Sequence, residues 1–185
     1  MNHHTFDPEA AAKLEDVDRY RYLSRDELVG GLAVDESDAV VDLGSGTGFY
    51  TRDVAQYAGT VHAVDVQSEM HEHFRAVGRP DNVDLVTAGV ADLPLADDAV
   101  DGAYSTMTFH EFVSGDSLAE VRRVLRSGAR FVVVDWSATG DGERGPPLEA
   151  RVGPDGAASY LDGAGFDVHR SDDRPETFYV LASAP

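Results

Sequence analysis

The segment Val40-Val41-Asp42-Leu43-Gly44-Ser45-Gly46-Thr47-Gly48-Phe49-Tyr50 constrains this chain more than any other. An apolar run stops at Gly44, three glycines alternate with Ser45 and Thr47, and a helix-sized stretch begins at Phe49. Glycine permits φ values closed to other residues and lets a ligand approach with no Cβ in the way. The helix that follows presents free N–H groups in its first turn. The next apolar run, 60–64, ends in Asp65. In a doubly wound sheet ligands sit at the carboxyl ends of the strands, and an acid there takes both hydroxyls of a ribose. A glycine triplet alone would fit a tight packing turn. With the strand before it, the helix after it and Asp65 in place, it points to a nucleoside site.

The rest of the chain fits that frame. Apolar strand patterns recur at 83–87, 99–104, 129–136, 166–169 and 177–181, and helical stretches fall at 49–58, 68–77, 116–125 and 155–164. This alternation predicts an α/β fold with a doubly wound, mostly parallel seven-stranded sheet covered by helices on both faces. The link between the last two strands, Arg170 to Glu176 with Pro175, is too short for a helical crossover and suits an antiparallel edge strand. Residues 7–31 read as helix, opened by Asp7-Pro8-Glu9. It restarts at Ser24, whose spacing to Glu27 is that of a capping box, and ends at Gly30-Gly31. Residues 138–147 read as an exposed loop. The expected organisation is one domain over 1–185, with an N-terminal helical lid (1–35) on a Rossmann-like core (36–185).

A dinucleotide fingerprint places its third glycine one position later, where this chain has Phe49. The Gly-x-Gly-x-Gly form preceded by Asp42 instead resembles motif I of the class I S-adenosylmethionine-dependent methyltransferases. The resemblance extends over nearly the whole chain. Asp65 matches that family's ribose-binding acid. Gly89-Val90-Ala91-Asp92-Leu93-Pro94-Leu95 matches the segment whose acid contacts the adenine amine, and Asp97-Asp98-Ala99-Val100-Asp101 matches the lead-in to the fourth strand. Val121 to Phe131 resembles the helix, turn and fifth strand, with Ser127 and Ala129 in place of the usual proline and second glycine.

The resemblance implies S-adenosylmethionine as cofactor, S-adenosylhomocysteine as product, and a cofactor site drawn from Asp42, Gly44, Ser45, Gly46, Thr47, Gly48, Asp65, Val66, Met70, Val90, Ala91, Asp92 and Thr106. Several of these have a second reading. Asp92 accepts from the adenine amine or forms a turn. Asp42 orders the glycine loop or reaches the cofactor through water. Val66 and Met70 line the adenine or belong to the core.

The segment Ser105 to Phe112 passes, in that family, beside the donor methyl and the acceptor. It supplies His110 and Glu111 as general-base candidates, with His110 also a substrate contact. The alternative for His110 is capping or packing the next helix. Methyl transfer by in-line displacement requires no metal or covalent enzyme intermediate, so positioning and electrostatics carry the rate. Phe6, Tyr20 and Tyr22 either cover the methionine end and the substrate, where an aromatic face favours a sulfonium, or pack in the core. His71-Glu72-His73 resembles a metal motif, but on a helix these residues do not share a face, and no metal is expected.

Composition sets the remaining bounds. The 185 residues carry 34 acids against 15 bases, a formal charge of −19, and Lys13 is the lone lysine. Such charge opposes binding to nucleic acid. Spread evenly and lysine-poor, it resembles the surfaces of proteins from salt-accumulating halophiles. With no cysteine there is no disulfide framework, thiolate metal site or thiol nucleophile. No apolar run suits a membrane span and the first residues show no signal peptide, so a cytoplasmic protein is expected. The expected acceptor is a small molecule, and oligomeric state is open. Two other readings are a non-catalytic cofactor-binding module, suggested by the lack of an inserted substrate domain after the fifth strand, and a nicotinamide-dependent oxidoreductase. Phe49 and the absence of a Tyr-x-x-x-Lys pair disfavour the latter.

Overall fold

A strand buried on both faces needs a continuous apolar run, which the inner members of the sheet supply; the described residues form seven strands. In the computed structural model, which describes residues 7–185, they are β1 (Ala39–Leu43), β2 (Thr60–Asp65), β3 (Val83–Thr87), β4 (Val100–Thr106), β5 (Leu125–Trp136), β6 (Asp167–Asp173) and β7 (Thr177–Ser183). They form one sheet of order β3-β2-β1-β4-β5-β7-β6. The first five pair in parallel, and β7 runs antiparallel to both β5 and β6. The expected antiparallel pair therefore lies at one edge, with β7 on its inner side. Composition explains that choice. Phe178, Tyr179, Val180 and Ala182 of β7 are buried, whereas β6 is rich in aspartate and blunts the sheet edge with charge.

Among the described residues six α-helices cover the sheet: α1 (Arg25–Leu32), α2 (Phe49–Val54), α3 (Ser68–Val77), α4 (Phe109–Phe112), α5 (Gly115–Val124) and α6 (Pro154–Gly163). Side chains alternate across each strand and so define two cores. Val40, Val132 and Val134 pack with Leu28, Tyr50 and Phe74 from α1–α3. Val41, Leu43 and Val133 pack with Phe109, Leu118 and Leu161 from α4–α6. The same alternation sends Asp42 to the α2 face and Asp135 to the α4 face.

The N-terminal segment differs from the helix expected over 7–31. It forms two 3-10 turns, Pro8–Glu15 and Val17–Arg21, before α1. Long-range ties shape it: the Tyr50 hydroxyl donates to the carbonyls of Arg19 (2.9 Å) and Leu23 (3.2 Å). Ser24 caps α1 as its spacing predicts, accepting from the Glu27 N–H. Gly30 and Gly31 do not end this helix, which runs on to Leu32 and closes on Ala33 at φ 51°. Gly31 is needed for contact, because a Cβ there would lie 2.3 Å from the Tyr179 hydroxyl. Phe6, His3 and His4 lie outside the described residues.

Candidate active site

The glycine loop leaves β1 at the carboxyl edge of the sheet. Gly44 (φ 81°) and Gly48 (φ 80°) both lie in the left-handed region, which penalises a side chain. Both are also crowded: a Cβ on Gly44 would meet Thr108, and one on Gly48 the Phe74 ring. The N–H groups of Gly44 and Ser45 donate to the Val64 carbonyl, which fixes the loop against β2. Asp65 completes the clamp. Its Oδ2 accepts from the Gly46 N–H at 2.8 Å and its Oδ1 from the Gln67 N–H at 2.9 Å. Each carboxylate oxygen keeps a further lone pair, so one side chain can shape the loop and still accept from two hydroxyls.

Asp42 is buried, and its Oδ2 accepts from the Thr51 hydroxyl at 2.6 Å. This contact ties β1 to α2, the ordering role. Burial pushes its carboxyl up to about 7 despite the bond from Thr51. The 3-10 turns lie over this region. Glu15 accepts from the Thr47 hydroxyl and pairs with Arg52 at 2.5 Å, and Leu14 approaches Gly46. Arg19 reaches beneath them, donating to the Leu14 carbonyl at 3.1 Å and to the Met107 sulfur at 3.8 Å, with its guanidinium 5.3 Å from the Phe49 ring centre. Burial lowers its pKa below the usual guanidinium value. Among the described residues, Arg19 Nε, Asp42 Oδ1, Ser45 Oγ, His71 Nε2, the Tyr104 hydroxyl and Ser105 Oγ are buried outside ordinary hydrogen-bond geometry, with Asp42 and Tyr104 close enough to interact. Such groups are costly unless something satisfies them.

A second cluster stands where β4 runs into α4. Met107 holds φ 62° and donates its N–H to the Val134 carbonyl at 2.7 Å. Strained backbone of this kind persists where surroundings over-determine it. Thr108 then reaches the Gly44 carbonyl through its hydroxyl at 3.3 Å, joining this segment to the glycine loop. His110 follows, facing Asp135 at the end of β5. The Asp135 carboxylate is fully buried and accepts from the His110 N–H at 2.7 Å, the Trp136 N–H at 2.7 Å and the imidazole Nδ1 at 2.9 Å. With Nδ1–H engaged, Nε2 carries the lone pair, and it faces Glu111 Oε1 at 3.9 Å. Burial opposes charge on His110, but the hydrogen bond and charge of Asp135, helped by Glu111, outweigh it and raise its pKa. Burial pushes Glu111 up to about 7, with His110 pulling down and Asp135 and Asp65 adding to the rise.

The remaining sequence candidates fall into place around these clusters. Val66 is 54% exposed beside Asp65 and is not a core residue, whereas Met70 is 1% exposed and is one. Val90 is buried, Ala91 and Asp92 are exposed, and the Asp92 N–H closes a turn on the Gly89 carbonyl. Thr106 is buried at the end of β4. Tyr20 turns to α2, where its hydroxyl donates to Asp53 at 2.7 Å, and so fastens the N-terminal segment instead of lining the loop. Tyr22 packs edge-on against Trp136 at 5.1 Å, near a cavity of about 510 Å³ that it shares with Arg174 and Glu176. His71 is buried and shares a hydrogen bond with Thr87. The basic residues near α5 are paired: Arg123 with Glu120 and Asp97, Arg126 with Asp101, and Arg130 with the Gly31 carbonyl. Sequence reasoning missed Asp135 and Arg19. A lone acid closing the apolar run Phe131 to Val134, at the edge where ligands bind, was the available signal for Asp135. Arg19 gave none.

A doubly wound sheet with a glycine loop and a ribose-type acid at its carboxyl edge defines the class: a Rossmann-like domain of the S-adenosylmethionine-dependent methyltransferase type. The chain belongs to the methyltransferase-domain family, whose profile matches residues 41–133, half of its length. An S-adenosylmethionine-dependent methyltransferase from Aquifex aeolicus has a crystal structure that aligns with 98% of this chain and 100% of its own. The TM-score is 0.86 and the identity 28%. An uncharacterized methyltransferase-like protein of Schizosaccharomyces pombe is 31% identical over 117 residues, 63% of this chain and 44% of that one. A sterol methyltransferase-like protein of Botryococcus braunii is 33% identical over 103 residues, 52% of this chain and 26% of that one. The chain thus spans less than half the length of these two relatives.

Proposed function

We propose that this protein transfers a methyl group from S-adenosylmethionine to a small-molecule acceptor, leaving S-adenosylhomocysteine. The observation that carries the reading is the glycine loop at the carboxyl edge of the sheet, with the Asp65 carboxylate held against it by the Gly46 N–H. The groups around that loop fit this cofactor: the Arg19 guanidinium for the methionine carboxylate, Asp42 for its ammonium, and Asp65 for the ribose hydroxyls. Exposed Val66 offers an apolar surface to the adenine ring and Asp92 an acceptor for its amine. When bound, the cofactor supplies a methyl group made electrophilic by the positive sulfur.

The chain's own contribution is arrangement. Asp65 and the Val64 carbonyl fix the glycine loop, and Thr108 ties the catalytic segment to that loop. The 3-10 turns, held by Glu15 and Arg19, exclude water as a lid. His110 and Glu111 stand at the same edge to hold or accept a proton. The charge of −19 opposes nucleic acid as substrate and suits a salt-rich cytoplasm. Among the described residues no helix is long and apolar enough to cross a membrane.

Calorimetry at molar KCl with S-adenosylmethionine and S-adenosylhomocysteine tests the cofactor assignment, and binding of neither would sink it. Tight binding with no turnover over a broad acceptor panel would favour the non-catalytic binding module.

A further inference from the structure

We infer that Asp42 keeps its proton in the cofactor-free enzyme at mildly acid pH and gives it up when the cofactor binds, so that pH sets cofactor affinity. This inference rests on the methyltransferase reading, with Asp42 as the partner of the ammonium. Asp42, Asp65 and Asp135 stand at the same edge of the sheet but differ in what faces them. Asp65 accepts from the N–H groups of Gly46 and Gln67. Asp135 accepts from those of His110 and Trp136. A backbone N–H only donates, so it holds a carboxyl in its ionised form. Among the described residues Asp42 has no such donor. Its Oδ2 faces the Thr51 hydroxyl at 2.6 Å. Across the strand pairing it is in register with Tyr104 of β4, whose hydroxyl lies close enough to interact. Hydroxyls both donate and accept, so these surroundings suit a carboxyl with its proton as well as one without.

The groups facing Asp42 are Thr51 from α2, Tyr104 from β4, Asp65 from β2 and Arg19 from the N-terminal turns, with Asp53 of α2 facing Tyr104. Asp65 disfavours a second negative charge. Arg19 favours one, but its guanidinium donates to the Leu14 carbonyl and the Met107 sulfur and makes no ion pair with Asp42. Asp42 is 1% exposed, so bulk water does not solvate a charge there. Desolvation outweighs the bonds from Thr51 and Tyr104 and brings the carboxyl up to about 7. An ammonium beside Asp42 reverses this, because an opposite charge in a buried site favours the ionised form. The carboxyl O–H bond then breaks, its electron pair stays on the carboxylate, and the proton passes to solvent. The bound enzyme holds fewer protons than the free one. Affinity therefore rises with pH below about 7 and levels off above it.

The test is calorimetric titration with S-adenosylhomocysteine in molar KCl, repeated in cacodylate, MES and imidazole, whose ionisation heats differ. At about pH 6 the observed heats of wild type should report release of at least about half a proton per cofactor bound. Affinity should rise at least about threefold from about pH 5.5 to about pH 7. Asp42→Asn should abolish the release. Glu111→Gln, which removes another carboxyl raised to about 7 at this edge, should not. No release from wild type, or release that follows Glu111 instead of Asp42, would overturn the inference. Infrared difference spectra make the test independent of how well Asp42→Asn folds. Wild type should lose a protonated-carboxyl C=O band on binding, and Thr51→Val, which removes a hydrogen bond, should move that band in the free enzyme. A free enzyme without such a band, or a band that binding leaves unchanged, would refute the inference. Failure of wild type to bind S-adenosylhomocysteine at any pH would instead sink the methyltransferase reading itself.

Discussion

Replacing Gly44 by alanine should break the link between the cofactor loop and the catalytic segment, and its cost divides into two parts. The first is backbone strain. Gly44 sits at φ 81°, where an L-residue pays roughly 1–2 kcal/mol. The second is collision. The new Cβ would stand 2.4 Å from Thr108 Cγ2, 2.7 Å from its Cβ and 2.9 Å from its Oγ1. A rotamer change can move Cγ2 and Oγ1 but not Cβ, so the backbone around Thr108 must shift, and overpacking of this kind costs about 1–3 kcal/mol. The total is about 2–5 kcal/mol. Gly128 supplies the control: its φ is 77° and nothing lies within 4 Å of an added Cβ, so Gly128→Ala should cost only the backbone part, about 1–2 kcal/mol. Removing the obstacle separates the terms further. In a cycle of Gly44→Ala with Thr108→Gly, the double variant should recover about 1–3 kcal/mol relative to additivity. Urea unfolding in molar KCl, followed by the fluorescence of Trp136, the single tryptophan, gives all five stabilities. A coupling below about 0.4 kcal/mol, within ordinary additivity error, would refute the contact argument. So would a Gly44→Ala variant no less stable than Gly128→Ala.

Three further outcomes are expected. Asp65→Ala should weaken S-adenosylhomocysteine binding by about 1–3 kcal/mol, roughly 5- to 150-fold; calorimetry showing less than a twofold change would contradict the ribose role. Asp42→Asn should make stability less sensitive to pH. The folded carboxyl titrates near about 7, above its unfolded value of 3.8, so its contribution is full below about pH 4 and is lost as pH rises through 7. Wild type and variant should then run parallel at acid pH and diverge toward neutrality by no more than about 4 kcal/mol, as read from urea midpoints at each pH. Finally, the melting temperature should rise between dilute buffer and molar KCl, because salt screens the self-repulsion of 19 excess negative charges; calorimetric scans showing no rise would count against salt adaptation.

Local pattern carried much of this structure. β3 and α3 fall where the runs 83–87 and 68–77 place them, because strand and helix periodicities differ and the flanking turn residues are unambiguous. The glycine loop and Asp65 were legible for the same reason. What stayed hidden depends on partners distant in sequence. Nothing near Gly31 shows that Tyr179 will press on it, so two glycines read as a helix end. His110 reads as a base or a cap until Asp135, 25 residues on, is brought behind it by the pairing of β4 with β5. Arg19 looks like any charged residue on an amphipathic stretch. Only the tertiary fold shows it half-buried against Phe49 and Met107. The start of β5 at Leu125 was missed because Leu125 pairs with Val100 across a register shift, which no local pattern encodes.

The place of β7 between β5 and β6 also dictates an order of assembly. β6 joins the sheet only through β7, yet it is synthesised first. Before β7 has been made, the nascent chain can pair the five parallel strands but must leave the β5 edge open, with Phe131 and Val133 on that strand. Such an edge invites intermolecular pairing. Closure comes with a single late insertion, and the aspartates of β6 then become the outer rim that repels another chain. Until β7 is in place, the open β5 edge should therefore be where pairing between chains begins.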